Sequence, residues 1–368
     1  MKQIYKHRLS DRLTLHPGEP TTGPLTAEEL QLAARNHSMP LEALRHNLTP
    51  PGLHYVLTHF DIPDTAAAGW HLQIKGAVKQ CLELSLAALK RDPAITVPVT
   101  LECAGNGRSL LKPRPLSQPW VLEAVGTAEW TGVPLAYLLA KAGVLPGAVE
   151  VVFTGADAGI QGGVPQQYAR SLPIREAMRP DVVLAYRMNG SDLPPQHGYP
   201  LRLVVPGWYG MASVKWLQSI DVVTVPFGGY QQAVAYQYQE TAHDAGVPVS
   251  RIRIRSLMVP PGIPDFFERK RVLPHGPVML QGRAWSGQGA VTGVEVGIDG
   301  QWIPAHLEKP AGPFAWCKWT LPWVADPGQH ELACRATDST GASQPLAQNW
   351  NYQGMGNNMV QRVRVTVE

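Results

Sequence analysis

One short stretch concentrates the residues that could do chemistry: Thr100-Leu101-Glu102-Cys103-Ala104-Gly105-Asn106-Gly107-Arg108. Val97, Val99 and Leu101 alternate ahead of it and predict a strand from Thr96 to Leu101. Gly105-Asn106-Gly107 then predicts a tight loop, where residues with positive φ cost least. A cysteine at a strand end with Arg108 close behind sets a thiol beside a fixed cation. That arrangement favours the thiolate and suits a nucleophile or a soft metal ligand. A small buried hydrophobe fits the same position, and this stretch alone leaves both readings open.

Other polar groups fall at predicted strand ends and loops of the first two thirds of the chain: Arg35, His37, Asp157, His197, Arg202 and Lys215. Loops above a rigid scaffold are the usual seat of a binding site. Cations gathered around one thiolate would hold an anion, with arginine able to grip an oxyanion by two parallel hydrogen bonds. Arg35-Asn36-His37 offers three successive donors where a helix ends; a solvated helix end is the plainer reading of the same residues.

The elements that must position these groups are partly legible. Thr26-Ala27-Glu28-Glu29 reads as a capping box opening a helix, and Pro40 disfavours helical geometry at Met39. Strand-like runs are Trp70–Val78, Val149–Thr154 (emptying into Gly155-Ala156-Asp157), Leu201–Val205 and Val214–Val225. Helices are expected over Leu84–Lys90 and over Pro134–Ala142, the latter stopped by Gly143. Strands and helices do not alternate regularly, which argues against a doubly wound fold. No G-x-G-x-x-G follows a strand and no P-loop lysine motif occurs, so a nucleotide cofactor is not indicated. From about Arg251 onward the texture is all β, with short alternating runs separated by turns such as Asp299-Gly300. About seven strands over roughly 110 residues predict an immunoglobulin-like sandwich. Its tryptophans (285, 302, 316, 319, 323 and 350) exceed what one small core buries easily, which fits either an interface or a tryptophan-rich core.

Bulk composition bounds the answer. The 368 residues suggest two domains, and 17% charged residues describe a folded globular chain. A net charge of +3 without a basic run gives no nucleic-acid signature. No stretch reaches the ~20 apolar residues of a membrane span. Met1–Leu15 has no apolar core of leader length, so a cytoplasmic protein is expected. The four cysteines (81, 103, 317 and 334) form no C-x-x-C or C-x-x-C-H, so neither a zinc knuckle nor covalently attached haem is indicated. Cys317 and Cys334 could pair across a sheet, but free thiols suit a cytoplasmic protein better.

Taken together, these motifs resemble the sulfite oxidase family. The Thr100–Arg108 stretch is similar to that family's molybdenum-ligating cysteine motif, and Arg35-Asn36-His37 to its R-N-H pterin contact. His197-Gly198-Tyr199-Pro200-Leu201-Arg202, with Val214-Lys215-Trp216-Leu217 after it, resembles its H-G-[FY]-P-x-R…V-K-W-[LI] segment. The resemblance runs from about residue 30 to the end. It implies an α+β architecture: a mixed α/β molybdopterin-binding catalytic domain with an N-terminal arm over 1–245, then an immunoglobulin-like dimerisation domain over 246–368. It also implies molybdenum held by one molybdopterin dithiolene and the Cys103 thiolate. Asn36, His37, Asp157, His197, Arg202, Ser213 and Lys215 would contact the pterin and its phosphate. Arg35 and Arg108 would line the oxyanion pocket with Trp120, Arg35 serving the cofactor side as well. The active-site tyrosine falls in the aromatic, glycine-led loop Phe227–Tyr238, at Tyr236, with Tyr230 and Tyr238 as competitors.

The implied activity is oxidation of sulfite to sulfate in a homodimer, with electrons passed to an external acceptor such as a separate cytochrome, since the chain carries no haem motif. Two departures bear on substrate. Gln353 stands where animal and plant sulfite oxidases carry an arginine, and Gly354-Met355-Gly356-Asn357-Asn358 looks more like the nitrate reductase version. Gly107 replaces a polar residue of many relatives. The alternatives are a reductase of nitrate or a sulfoxide on the same scaffold, or a non-catalytic protein that uses the sandwich for partner binding.

Overall fold

A computed structural model describes residues 20–368. The Met1–Leu15 stretch, considered as a leader, lies outside the described residues. The helix Ala27–Arg35 opens on a full capping box: the Thr26 hydroxyl accepts from the Glu29 backbone N–H, and the Glu29 carboxylate accepts from the Thr26 N–H. Arg114 then clamps Glu29 through Nε and Nη2, at 3.0 and 2.8 Å. The chain next turns through two short 3-10 segments and enters two five-stranded sheets.

One sheet runs 191–192, 183–188, 125–134, 95–102, with 202–204 beside 183–188. The other runs 82–85, 71–76, 217–223, 150–161, 164–173. Within these two sheets only the pairing of Leu217–Val223 with His71–Gly76 is parallel. The irregular alternation of elements in the sequence therefore corresponds to a mostly antiparallel mixed fold, not a doubly wound one. Leu72, Ile74, Phe153 and Ile220 from one sheet, Leu184 and Leu203 from the other, and Leu135, Leu138 and Leu139 of the helix Leu135–Ala142 form one buried core. Gly143 stops that helix at φ 72°.

Three elements differ from expectation. The strand beginning at Glu150 does not empty into a loop at Gly155: it runs to Gln161, with a register shift between Thr154 and Ala158. That bulge absorbs the glycine and turns Asp157 inward, where it is buried. The helix foreseen over Leu84–Lys90 is a single turn, Leu86–Leu89, because Leu82–Ser85 is already a strand and the Ser85 hydroxyl caps that turn. The segment carrying Lys215 becomes a strand only at Leu217, since Trp216 takes the left-handed region at φ 48°.

The second half is a sandwich. A sheet of order 255–258, 276–285, 317–325, 306–307 faces one of order 263–264, 271–273, 361–367, 328–338, 291–298, 301–304. Leu280, Trp319 and Leu321 of the first sheet pack with Val294, Leu332 and Val365 of the second. Cys317 and Cys334 are both free thiols, one in each sheet, so the cross-sheet disulfide does not form. Trp319 lies in the sandwich core, whereas Trp285 and Trp316 are buried in a separate cluster with Met39, Tyr209 and Met355 between the two halves. Their indole nitrogens reach Glu102 Oε2 at 2.8 Å and the Asn47 carbonyl at 2.7 Å. Part of the tryptophan surplus thus joins the two halves of one chain. Among the described residues no helix is long and apolar enough to cross a membrane.

Candidate active site

The strand Ile95–Glu102 delivers Cys103 to the floor of a pocket between the two sheets of the first half. The cysteine N–H donates to the Ala124 carbonyl, and its own carbonyl accepts from the Asn106 N–H, so the loop is pinned on both sides. Gly107 takes φ 87° and lies against Asn357. At Gly105 a Cβ would sit 2.6 Å from the Arg108 guanidinium; the missing side chain lets Arg108 fold back over the loop. Arg108 is buried and donates from Nε to the Gln353 carbonyl (3.0 Å), from Nη1 to the Gln118 carbonyl (3.3 Å) and from Nη2 to the Met355 sulfur (3.3 Å).

Burial pushes the Cys103 thiol up from its ordinary value, while Arg108 and the Gly105 backbone pull it down. The pKa-lowering effect read from sequence is real but is outweighed by desolvation. Trp120 is buried and its indole nitrogen has no hydrogen-bond partner. Ligation by a metal would deprotonate the thiol and remove this cost.

Around Cys103 the pocket is lined by Asp157, His197, Arg202, Ser213, Lys215 and Tyr236, as the sequence motifs anticipated. Arg202 donates to the carbonyls of His197 (3.0 Å) and Ser213 (3.2 Å) and lies over the Trp130 ring. Lys215 Nζ donates to the carbonyls of Leu57 and Gln196, both at 2.9 Å. Burial lowers Lys215 to about 7 and Arg202 to about 10, and raises Asp157 to about 6. His197 is driven down to about 2 by burial and the adjacent His54, Arg202 and Lys215. One Asp157 carboxylate oxygen is buried without a partner.

Of the three candidate tyrosines only Tyr236 lines this pocket. It occupies the left-handed region at φ 58°, uncommon for a bulky residue and often seen where function constrains the chain. Tyr238 stacks under Arg253 instead, and the Tyr230 hydroxyl sits against Gly162.

Five predicted residues do not line it: Arg108 and Trp120 pack against the Cys103 loop, and Arg35, Asn36 and His37 stand behind the pocket wall. His37 is exposed and exchanges backbone hydrogen bonds with Val56. The Asn36 side chain bonds the Thr58 N–H (2.8 Å) and the Gln118 amide (2.9 Å). Arg35 is half exposed, donates to the Phe60 carbonyl at 2.6 Å and lies 3.7 Å from Asp61. The physical reason is the short bridge of His37 to Val56, which makes this segment a backing for residues 54–60. That second segment supplies the lining residues His54, Tyr55 and His59, which the motif reading missed. Tyr168 was missed too; its hydroxyl donates to the Met211 carbonyl at 2.7 Å. The available signal was His54 and His59 flanking the apolar run Tyr55-Val56-Leu57.

The arrangement selects a kind of occupant. Among the described residues no three His, Cys, Asp or Glu side chains converge to hold a bare metal ion, so a metal at Cys103 must bring other ligands with it. Arg202 is buried and Lys215 half-buried, and both are hydrogen-bonded only to carbonyls, with Asp157 the nearby carboxylate. Burying cations so incompletely paired is costly, and an anionic group in the pocket would offset that cost. A phosphate-bearing pterin whose sulfurs hold the metal fits this donor set: phosphate for the cations, ring N–H groups for the orphaned Asp157 oxygen.

Comparison with known proteins bears on the same residues. Residues 59–231 match the family described as oxidoreductase molybdopterin binding domain, and residues 249–368 match the Mo-co oxidoreductase dimerisation domain. The chain belongs to the sulfite oxidase family of molybdopterin oxidoreductases. This molybdopterin oxidoreductase is 34% identical to the NADH nitrate reductase of Solanum lycopersicum and 34% identical to nitrate reductase 1 of Arabidopsis thaliana. Each alignment takes in 90% of the chain, which spans 40% of the length of those relatives. The sulfane dehydrogenase SoxCD of Paracoccus pantotrophus superposes with a TM-score of 0.79 at 27% identity, over 94% of this chain and 93% of that one. The first match begins at His59, so Arg35-Asn36-His37 falls ahead of it.

Proposed function

We propose that this oxidoreductase oxidises sulfite to sulfate, SO3²⁻ + H2O → SO4²⁻ + 2 H⁺ + 2 e⁻, and passes the electrons singly to an external acceptor such as a cytochrome. The observation that carries the reading is Arg108, a buried guanidinium held only by carbonyls and a thioether, folded over the Cys103 loop. A small oxyanion is the natural partner for a desolvated cation of that kind.

When bound, the molybdenum centre supplies two-electron oxygen-atom exchange with the substrate. Cys103 would be its protein ligand. Arg202, Lys215, His197, Ser213 and Asp157 would hold the pterin and its phosphate; Asn36, His37 and Arg35 would brace the 54–60 wall. Arg108 would bind the oxyanion, with Trp120 beside Cys103, and the Tyr236 hydroxyl would orient substrate or carry a proton. Residues 1–245 would form the catalytic unit, and 246–368 the dimerisation unit of a homodimer.

Nitrate reduction is the second reading. It is favoured by Gln353, whose side chain accepts from the Gln237 N–H and donates to Val234 and Gln239, and which adds no second cation beside Arg108. The test is sulfite-dependent ferricyanide reduction beside viologen-dependent nitrate reduction on one molybdenum-loaded preparation. Sulfite turnover with nitrate inert is the expected result. Nitrate turnover with sulfite inert would overturn it.

A further inference from the structure

Arg170 belongs to none of the recognised motifs. It sits on the strand Val164–Pro173, opposite Phe153, and is 1% exposed. Its Nη1 donates to the Gln231 carbonyl and its Nη2 to the Val249 carbonyl at 3.4 Å, while its Nε is buried with no partner. None of the ion pairs among the described residues involves it. The guanidinium carbon lies 5.7 Å from the centre of the Tyr236 ring. His59 Nε2 is 2.5 Å from the phenol oxygen of that tyrosine, and the His59 ring lies tilted against Tyr168 with centroids 4.7 Å apart.

A full positive charge buried without a counter-ion is a poor stability device, because two carbonyls could be satisfied by a neutral donor at lower desolvation cost. It is a good way to place positive potential behind a pocket that must attract anions. Gln353, whose carbonyl accepts from Arg108, adds no charge of its own: its side chain is neutral and its amide is fully engaged.

We propose that Arg170 is the second fixed cation of the substrate pocket, acting through Tyr236: it holds the ring from below and supplies the positive field that Gln353 does not. Arg108 touches the anion; Arg170 is a positioning residue one ring further back. The inference rests on the oxyanion reading above.

The test uses molybdenum-loaded protein in its oxidised resting state and sulfate as the probe, with binding measured by titration calorimetry. Arg170→Met is expected to weaken sulfate binding roughly tenfold, the scale of one unit charge acting across an aromatic ring at an effective dielectric near 20. Arg170→Lys keeps the charge but not the two-carbonyl fork, and is expected to restore most of the affinity while its melting temperature stays low. In turnover, Arg170→Met is expected to raise KM for sulfite more than it lowers kcat. Wild-type affinity in Arg170→Met would overturn the assignment, as would equal weakening in Arg170→Met and Arg170→Lys, which marks a purely structural role. If Arg170→Met does not accumulate, Arg170→Gln replaces it in the same comparison. Failure of the wild-type protein to bind sulfate or oxidise sulfite would instead sink the oxyanion reading itself.

Discussion

Replacing Arg255 by Met tests how the second half of the chain holds the catalytic loop. Glu102, next to Cys103, is fully engaged: Oε1 accepts from Arg255 Nη1 at 2.7 Å and from Asn106 Nδ2 at 2.9 Å, and Oε2 from Trp285 Nε1 at 2.8 Å. The side chains of Arg255 and Glu102 are 2% and 1% exposed. Arg255 also donates to the Asn357 carbonyl at 2.8 Å. Removing the guanidinium strands a carboxylate away from water, which costs about 3–5 kcal/mol for a pair buried this deeply. For a chain of this size that corresponds to a fall in Tm of about 4–6 °C. Thermal unfolding of the loaded protein, followed by circular dichroism, measures it. The double variant Glu102→Gln, Arg255→Met is expected to lose less than the sum of the singles, because the stranded charge is gone. A loss below about 1 kcal/mol, the worth of a surface pair, would refute the reasoning.

Cys103→Ser is expected to lose molybdenum and all activity; a variant that keeps sulfite oxidation with full metal content would remove Cys103 as ligand. Arg108→Gln is expected to raise KM for sulfite by roughly ten- to a hundredfold, the scale of one charged hydrogen bond, with an unchanged KM counting against its place in the pocket. On the sandwich surface, His330 Nδ1 lies 2.7 Å from Asp299 Oδ2, and this contact raises the histidine pKa. A raised folded-state pKa means the stabilisation is present below the ordinary histidine value and fades as pH rises through the folded one. Asp299→Asn is therefore expected to lower the His330 pKa in an NMR titration, and no change would show the pair to be inert.

What the sequence revealed was local. The capping box at Thr26 and Glu29 and the Gly143 helix stop are read from neighbours in the chain, and so is the strand that ends at Cys103. What it hid was set by distant pairing. Gly155-Ala156-Asp157 looks like a loop because glycine weakens a strand, yet sheet pairing on both sides carries the strand through as a bulge. The bridge to Val56 puts Arg35-Asn36-His37 behind the wall and brings His54 and His59 to the front, a placement that no local pattern encodes. Arg170 has no motif at all; its importance appears only when burial, an absent counter-ion and the Tyr236 ring are seen together. The sign of the Cys103 shift was hidden for the same reason, because the nearby cation is visible in sequence and the burial is not.

The C-terminal stretch explains why the two halves must act as one body. Gln353 and Met355 hold Arg108 by a carbonyl and a sulfur. The Gly356 N–H donates to the Ala104 carbonyl, and Asn357 Nδ2 to the Gly107 carbonyl, both at 2.7 Å. The loop after Cys103 is therefore held on one side by residues 118–124 and on another by residues some 250 positions later in the chain. Gln353 also ties down the backbone of Gln237, next to Tyr236. A change that loosens residues 353–357 would move Arg108 and Tyr236 together while leaving Cys103 on its strand. Substrate affinity and metal retention should then separate in such variants. That separation distinguishes a pocket assembled from two halves from one carried whole by the first.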